Sequence, residues 1–133
     1  MKLKWSDNGL KTPLARAQGL GSTHHGTGHW LEQRVTGIAN FFLVLWMLCS
    51  VFHLAGADHA TFTAWLAQPV NGILCVLFVL STFYHAFLGL TVVVEDYVHA
   101  TLTRLLTIWA LRLFFFAASV ASIFSVLKIA FSA

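Results

Sequence analysis

The sequence predicts an all-α integral membrane protein in which three transmembrane helices run up, down and up within one domain, residues 1–133. Hydrophobic residues make up 58% of the chain and charged residues only 10%, and the mean hydropathy is +0.76. A soluble domain carries about 25% charged residues, because its surface must face water. The few charges leave three long segments that contain one charged residue or none. Lipid is therefore the solvent that this composition favours.

The first transmembrane helix is predicted at approximately residues 35–56, because this segment contains no Asp, Glu, Lys or Arg. A helix needs about 20 apolar residues to cross a hydrocarbon core of about 30 Å. The second charge-free segment, 59–94, is longer than one crossing, and its opening half is polar enough to predict a loop. The second helix is then predicted at 69–94, with Pro69 in the first turn, where its missing N–H is not needed.

The third transmembrane helix is predicted at approximately residues 103–130. Arg112 interrupts its apolar sequence, and Lys128 lies near its far end. Cys49 and Cys75 each lie within an apolar span, where cysteine behaves as a small hydrophobic residue, so neither a disulfide nor a metal site is predicted.

Basic residues predict the orientation in the membrane. The loop around Asp58 contains no Lys or Arg, whereas five basic residues precede the first helix: Lys2, Lys4, Lys11, Arg16 and Arg34. The positive-inside rule therefore places residues 1–34 in the cytoplasm, with the Glu95–Arg104 loop on the same side. The net charge of +3 is thus explained by topology and does not indicate nucleic-acid binding.

The N-terminal region is not predicted to be a targeting segment. The first 28 residues lack the apolar core of a secretory signal, and Met1 to Arg16 lacks the Ser- and Arg-rich amphipathic pattern of a strong transit peptide. A bacterial inner membrane is therefore favoured over a mitochondrial one.

His85 is an ionisable residue in the middle of the second predicted helix. It precedes Glu95 by ten residues, which places it about 15 Å deep. An ionisable residue at that depth is a candidate functional site, either as a heme ligand or as a neutral histidine bonded to a neighbouring helix. Gly89, one turn away on the same stripe as Val92 and Asp96, leaves room either for a flat macrocycle or for close helix packing.

His53 is the other histidine within a predicted span, and it lies near the outer end of the first helix. Its depth differs from that of His85 by more than about 10 Å, so the two cannot ligate one iron atom. We therefore interpret His53 as an interfacial residue. If His85 binds heme iron, the second ligand comes from another polypeptide.

A polar cluster follows the second predicted helix, and an arginine precedes the first. Tyr97 has two possible roles. It is either an interfacial tyrosine of the kind enriched at membrane surfaces, or a hydrogen-bond donor to the carbonyl of a quinone. Asp96 would supply the neighbouring acid–base group in the second case. Arg34 is either a topology-setting charge or the partner of an anionic heme propionate.

These residues together resemble those of the succinate dehydrogenase hydrophobic membrane anchor subunits. The resemblance extends over roughly residues 20–130 and is carried by Gly28-His29-Trp30, Gln33-Arg34-Val35-Thr36, His85 with Gly89, and Glu95-Asp96-Tyr97-Val98-His99. The preceding Gly19-Leu20-Gly21-Ser22 is similar to alphaproteobacterial members.

The resemblance implies an anchor subunit of succinate:ubiquinone oxidoreductase, paired with a second three-helix cytochrome b subunit. It also implies that an iron–sulfur subunit and a flavoprotein subunit dock on the cytoplasmic side. Four residues then have implied roles: His85 as one axial ligand of heme b, Arg34 beside its propionates, Tyr97 as a hydrogen-bond donor to ubiquinone, and Asp96 in the ubiquinone pocket.

Other interpretations remain open at this stage. Arg112 matches no functional position of the family, and it either snorkels to the interface or meets a partner subunit. The chain has no flavin fingerprint and no cysteine cluster, so we expect a non-catalytic subunit that cannot oxidise succinate by itself. The alternatives are a fumarate reductase anchor, a heme-free scaffold subunit, and a non-redox membrane protein with three spans.

Overall fold

The computed structural model describes residues 26–132, together with Thr12 and Leu14. The basic residues on which the predicted orientation mainly depends, and the Gly19–Ser22 segment, lie outside this part of the chain. Residues 26–132 form four helices and no strand: α1 (Gly26–His53), α2 (His59–Ala67), α3 (Pro69–Tyr97) and α4 (Thr101–Ser132). The long helices α1, α3 and α4 have the length and composition of membrane spans, as predicted.

The helices extend beyond the apolar segments that predicted them. α1 begins at Gly26, nine residues before the predicted start, and α3 continues to Tyr97 rather than ending at Val94. The predicted Glu95–Arg104 loop is therefore reduced to residues 98–100. Hydropathy locates the segment that lies in hydrocarbon, whereas backbone hydrogen bonds continue a helix through polar residues at the membrane surface.

The loop predicted between the first two spans is wrong for residues 59–67, which form α2. Asp58 caps this helix, because its Oδ1 accepts a 2.9 Å hydrogen bond from the N–H of Thr61. Tertiary contacts hold it against the spans: Trp65 stacks on Trp46 of α1 with ring centroids 5.9 Å apart, and Leu66 is buried. Such contacts stabilise α2, although the composition of residues 59–67 does not predict a helix.

A sharp corner joins α2 to α3. Gln68 is extended there, and Pro69 occupies the first position of α3. Asn71 closes the corner by donating a 2.9 Å hydrogen bond from Nδ2 to the carbonyl of Trp65. The backbones approach so closely that a Cβ on Gly72 would lie 3.2 Å from the carbonyl oxygen of Leu66. Glycine is therefore the residue that fits this position.

The helix α3 packs against both α1 and α4, whereas no Cα atom of α1 lies within 8 Å of a Cα atom of α4 in residues 26–132. Few side chains are consequently buried within the described part of the chain, and the buried apolar residues there are Leu66, Cys75 and Leu88. Large apolar side chains point outward along all three spans, and 78% of Phe52 is exposed. These faces suit lipid or neighbouring transmembrane helices.

Candidate functional site

His85 lies on the face of α3 that packs against α1. Its Nδ1 is 2.9 Å from the hydroxyl oxygen of Thr36, and the side chain is half-buried. The ring lies close to the α1 backbone. A Cβ added to Gly37 would be 3.4 Å from Cε1 of His85. The histidine precedes the end of α3 by twelve residues, which corresponds to about 18 Å along the helix. The structure therefore places His85 about three turns inside α3, level with Thr36 of α1, and gives one of its two ring nitrogens a partner.

The Thr36 hydroxyl determines which tautomer of His85 this contact favours. The hydroxyl has one proton to donate, and its nearest acceptor is the carbonyl oxygen of Glu32 at 2.7 Å, followed by that of Gln33 at 3.2 Å. Once that proton is donated to the backbone, the hydroxyl can only accept a hydrogen bond from Nδ1–H of His85. The lone pair of the neutral imidazole then lies on Nε2, which makes no hydrogen bond with residues 26–132.

This arrangement suits a metal-ligating histidine. Such a histidine nearly always donates its second ring N–H to an oxygen, which fixes the orientation of the ring and raises the basicity of the ligating nitrogen. Thr36 provides that oxygen here. Thr36 ends the Gln33-Arg34-Val35-Thr36 segment, but the sequence does not indicate its role, because the register between two helices cannot be read from either helix alone.

Gly89 lies one turn from His85 and also faces α1. A Cβ added to Gly89 would be 3.7 Å from Nε2 of Gln33, which is an ordinary contact distance. Gln33 of α1 is thus the neighbour that Gly89 faces in the described part of the chain. Small residues in membrane helices let neighbouring helices approach.

A second hydrogen bond joins α1 and α3 beside the first one. The Tyr84 hydroxyl donates to Oε2 of Glu32 at 2.7 Å. Since Glu32 also accepts the Thr36 proton through its backbone carbonyl, the same turn of α1 holds two consecutive residues of α3. The sequence did not predict this pair, although it contains a tyrosine next to the histidine of α3 and a glutamate near the start of α1.

His53 lies far from this region, as predicted. It is the last residue of α1 and is exposed, whereas the contact with His85 is made at Thr36, about 25 Å away along the helix. His53 therefore cannot ligate an iron atom that is bound to His85.

Arg34 is an exposed residue near the N-terminal end of α1. Its guanidinium carbon lies 4.8 Å from the centroid of the Trp30 ring, one turn earlier in the same helix. The guanidinium makes no ion pair with residues 26–132. Its five N–H groups thus remain available for an anion at this end of the molecule.

Asp96 and Tyr97 form the last turn of α3, on the same side of the membrane as Arg34. The Tyr97 side chain is 78% exposed, and Asp96 is exposed as well. Nδ1 of His99 donates to the carbonyl of Tyr97 at 3.0 Å, which holds His99 beside them. The structure thus gathers the polar cluster at one helix end but does not bring it to His85, so the candidate residues form two separate sites.

Comparison with known proteins places these observations in a family. The model of the succinate dehydrogenase/fumarate reductase transmembrane subunits matches residues 8–126. The succinate dehydrogenase hydrophobic membrane anchor subunit of Rickettsia bellii is 34% identical over 117 residues, which are 88% of this chain and 94% of the relative. That of Paracoccus denitrificans is 29% identical over 86 residues, covering 65% and 67% of the two chains. No solved structure matches the chain.

Proposed function

The chain belongs to the family of succinate dehydrogenase/fumarate reductase transmembrane subunits, and on this premise we propose that it anchors a succinate:ubiquinone oxidoreductase in the bacterial inner membrane. In that complex His85 is one axial ligand of heme b, and Tyr97 and Asp96 form part of the ubiquinone site. The hydrogen bond between His85 and Thr36 is the main support for assigning His85 as a heme ligand. The chain itself is a non-catalytic subunit of the enzyme.

The donor chemistry of His85 fits a heme iron. The contact with Thr36 leaves the Nε2 lone pair free in a half-buried position within the span, where an ionisable side chain is otherwise costly. Heme b supplies a one-electron redox centre when bound. Because no second histidine of the described chain lies at this depth, the second axial ligand comes from a cytochrome b anchor subunit that packs against this one.

Arg34 fits the role of a propionate partner. It lies in the N-terminal part of α1, and its guanidinium has no carboxylate partner in residues 26–132. Guanidinium pairs well with carboxylates, because its planar N–H fork matches their two oxygens. The Trp30 ring beneath it limits its motion.

Tyr97 and Asp96 fit one side of a quinone site. A phenol can donate a hydrogen bond to a quinone carbonyl, and a neighbouring carboxylate can relay a proton to the reduced product. Both side chains are exposed in the isolated chain, so a closed pocket requires a second surface. We assign that surface to the iron–sulfur subunit, which docks with the flavoprotein on the cytoplasmic side, where the N-terminus also lies.

The test is a reduced-minus-oxidised spectrum of the complex purified through a tag on this chain. The wild type is compared with His85→Ala and with His53→Ala, a matched loss of a histidine at the far end of α1. We expect a b-type α band that is lost or shifted in His85→Ala and unchanged in His53→Ala, with the soluble subunits co-purifying. A wild-type complex without heme b would refute the ligand assignment, and absence of the soluble subunits would refute the anchor role.

The quinone assignment has a separate test. Tyr97→Phe and Asp96→Asn should lower ubiquinone reduction by succinate while leaving the heme spectrum and the reduction of a soluble electron acceptor unchanged. Equal loss with both acceptors would place the defect in the soluble subunits instead. Because the family also includes fumarate reductases, the direction of turnover and the quinone extracted with the complex decide between the two enzymes.

A further inference from the structure

Five polar side-chain atoms of α1 and α3 are buried and have no hydrogen-bond partner in residues 26–132. They are Nε2 of His29, Oε1 of Gln33, Oδ1 of Asn40, Oγ of Ser81 and Oγ1 of Thr82. A buried polar atom without a partner is costly, and in hydrocarbon no bulk water can replace the missing bond. The last three of these atoms belong to one part of the α1–α3 contact, and the proposed function gives them no role.

Asn40 and Ser81 face each other across the α1–α3 contact. Nδ2 of Asn40 lies 3.5 Å from the carbonyl oxygen of Ser81, which leaves Oδ1 of the same amide without a donor. Ser81 precedes His85 by four residues, so the pair lies one turn from the bond that joins His85 to α1. Thr82 precedes Gly89 by seven residues, which places it on the same α1-facing stripe of α3. One amide oxygen and two hydroxyls therefore line this part of the contact.

The hydroxyls of Ser81 and Thr82 differ from other hydroxyls in the spans. A hydroxyl within a helix can donate to the carbonyl four residues earlier, as those of Ser50 and Thr91 do, each at 2.8 Å. Ser81 and Thr82 make no such bond within residues 26–132, although both hydroxyl oxygens are buried. Their protons are thus available to an acceptor that lies between the helices.

A glycine leaves room beside these atoms. Gly37 precedes Asn40 by three residues and lies on the same face of α1. In the described part of the chain, a Cβ added to Gly37 would meet Cε1 of His85 at 3.4 Å and no other neighbour within 4 Å. Side chains therefore do not fill the contact at this position. A buried water molecule needs such room and two to four polar partners, which the amide oxygen and the two hydroxyls supply.

The burial of the three atoms limits what can occupy the position. None of them has appreciable exposed surface, so a lipid chain or a partner subunit cannot reach them from outside the chain. A metal cation suits the position less well than water, because three neutral ligands would leave its charge uncompensated in hydrocarbon. A water molecule can donate one hydrogen bond to Oδ1 of Asn40 and accept one from the hydroxyl of Ser81.

We infer that the α1–α3 contact binds an ordered water molecule that bridges Oδ1 of Asn40 and the hydroxyl of Ser81, with Thr82 as a further partner. Because this water lies one turn from the bond between Thr36 and His85, it holds the two helices in the register that this bond requires. The site uses no group assigned to heme or quinone, so it does not depend on the proposed function.

A cryo-EM map of the tagged complex in nanodiscs, at a resolution that shows ordered water, tests this site directly. We expect a peak at about 2.5–3.0 Å from both Oδ1 of Asn40 and Oγ of Ser81. A dry contact, with the Ser81 hydroxyl turned to the carbonyl of Leu77, would overturn the inference. A peak that appears only with sodium in the buffer would overturn it as well, since it would indicate a cation. This measurement needs no variant and therefore does not depend on how well a variant folds.

A double-mutant cycle measures whether the water couples the two helices. Asn40→Leu and Ser81→Ala should each raise the unfolding equilibrium constant in detergent about threefold, the average effect of one hydrogen bond between membrane helices. The double variant should be little worse than either single one, because the same water is lost. Ser50→Ala is the control, since its hydroxyl is bonded within α1 and its effect should add to that of Asn40→Leu. Additive effects of Asn40→Leu and Ser81→Ala, or a more stable Asn40→Leu protein, would contradict a bridging water.

Discussion

The Thr36 hydroxyl and Nδ1 of His85 lie 2.9 Å apart and join α1 to α3 within the spans. Because the Thr36 proton is directed to the carbonyl of Glu32, the contact favours the tautomer of His85 with its lone pair on Nε2. The same contact therefore links helix packing to the chemistry of the proposed ligand.

Thr36→Val should weaken heme binding while leaving the helix packing nearly intact, since valine has a similar shape but no hydroxyl. Loss of a hydrogen bond to a ligating histidine typically costs about 10- to 100-fold in metal affinity. Heme content per complex, measured after detergent washing, is the readout, and Thr36→Ser is the control that keeps the hydroxyl. Equal heme retention in Thr36→Val and the wild type would show that Thr36 does not position His85.

Enlarging Gly37 should displace the His85 ring. A Cβ at this position already lies 3.4 Å from Cε1, so Gly37→Leu forces the ring away from α1 and breaks its contact with Thr36. We expect loss of the heme α band in Gly37→Leu. Gly28→Leu is the matched control in the same helix, because a Cβ there meets nothing within 4 Å. A normal spectrum for Gly37→Leu would contradict the close approach of the ring.

Tyr84→Phe should lower the free energy of unfolding in a membrane or detergent by about 0.6 kcal/mol, the average for a hydrogen bond between membrane helices. The change removes only the hydroxyl that donates to Glu32. Combining it with Glu32→Ala in a double-mutant cycle measures the pair itself. Strictly additive effects of the two substitutions would mean that the bond contributes nothing to stability.

Asp58 gives α2 a defined pH dependence. Hydrogen bonds from the side chain and backbone N–H of Thr61 hold the pKa of the Asp58 carboxyl below its usual range. A lowered folded-state pKa means that the cap stabilises α2 fully above the unfolded pKa of about 3.9 and is lost as the pH falls through the lower folded value. Hydrogen exchange of the α2 amides should therefore show reduced protection in strong acid.

Asp58→Asn is the matched variant for this measurement. Its amide oxygen can still accept from the N–H of Thr61 but does not titrate in this range. Protection of α2 in Asp58→Asn should thus stay constant over the pH range in which the wild type loses it. A parallel loss in both proteins would assign the acid sensitivity to another group.

Much of the fold and of the candidate site could be predicted from the sequence. The three spans follow from summed transfer free energies, which depend on each segment alone. The depth of His85 follows from the rise per residue of a helix, and the separation of His53 from it follows in the same way. The clustering of Asp96 and Tyr97 needs only their adjacency at the end of a helix. These properties are local, so each can be predicted from a short stretch of residues.

Every property that depends on how one helix packs against another required the three-dimensional structure. Composition does not indicate that Thr36 faces His85, that Glu32 receives the Tyr84 hydroxyl, or that Asn40 lies beside Ser81. The short helix α2 also depends on its contacts with Trp46 and the ends of the spans, since its own sequence favours a loop. The rotation and register of packed helices arise from the fit of many side chains at once, and each of these contacts is a consequence of that fit.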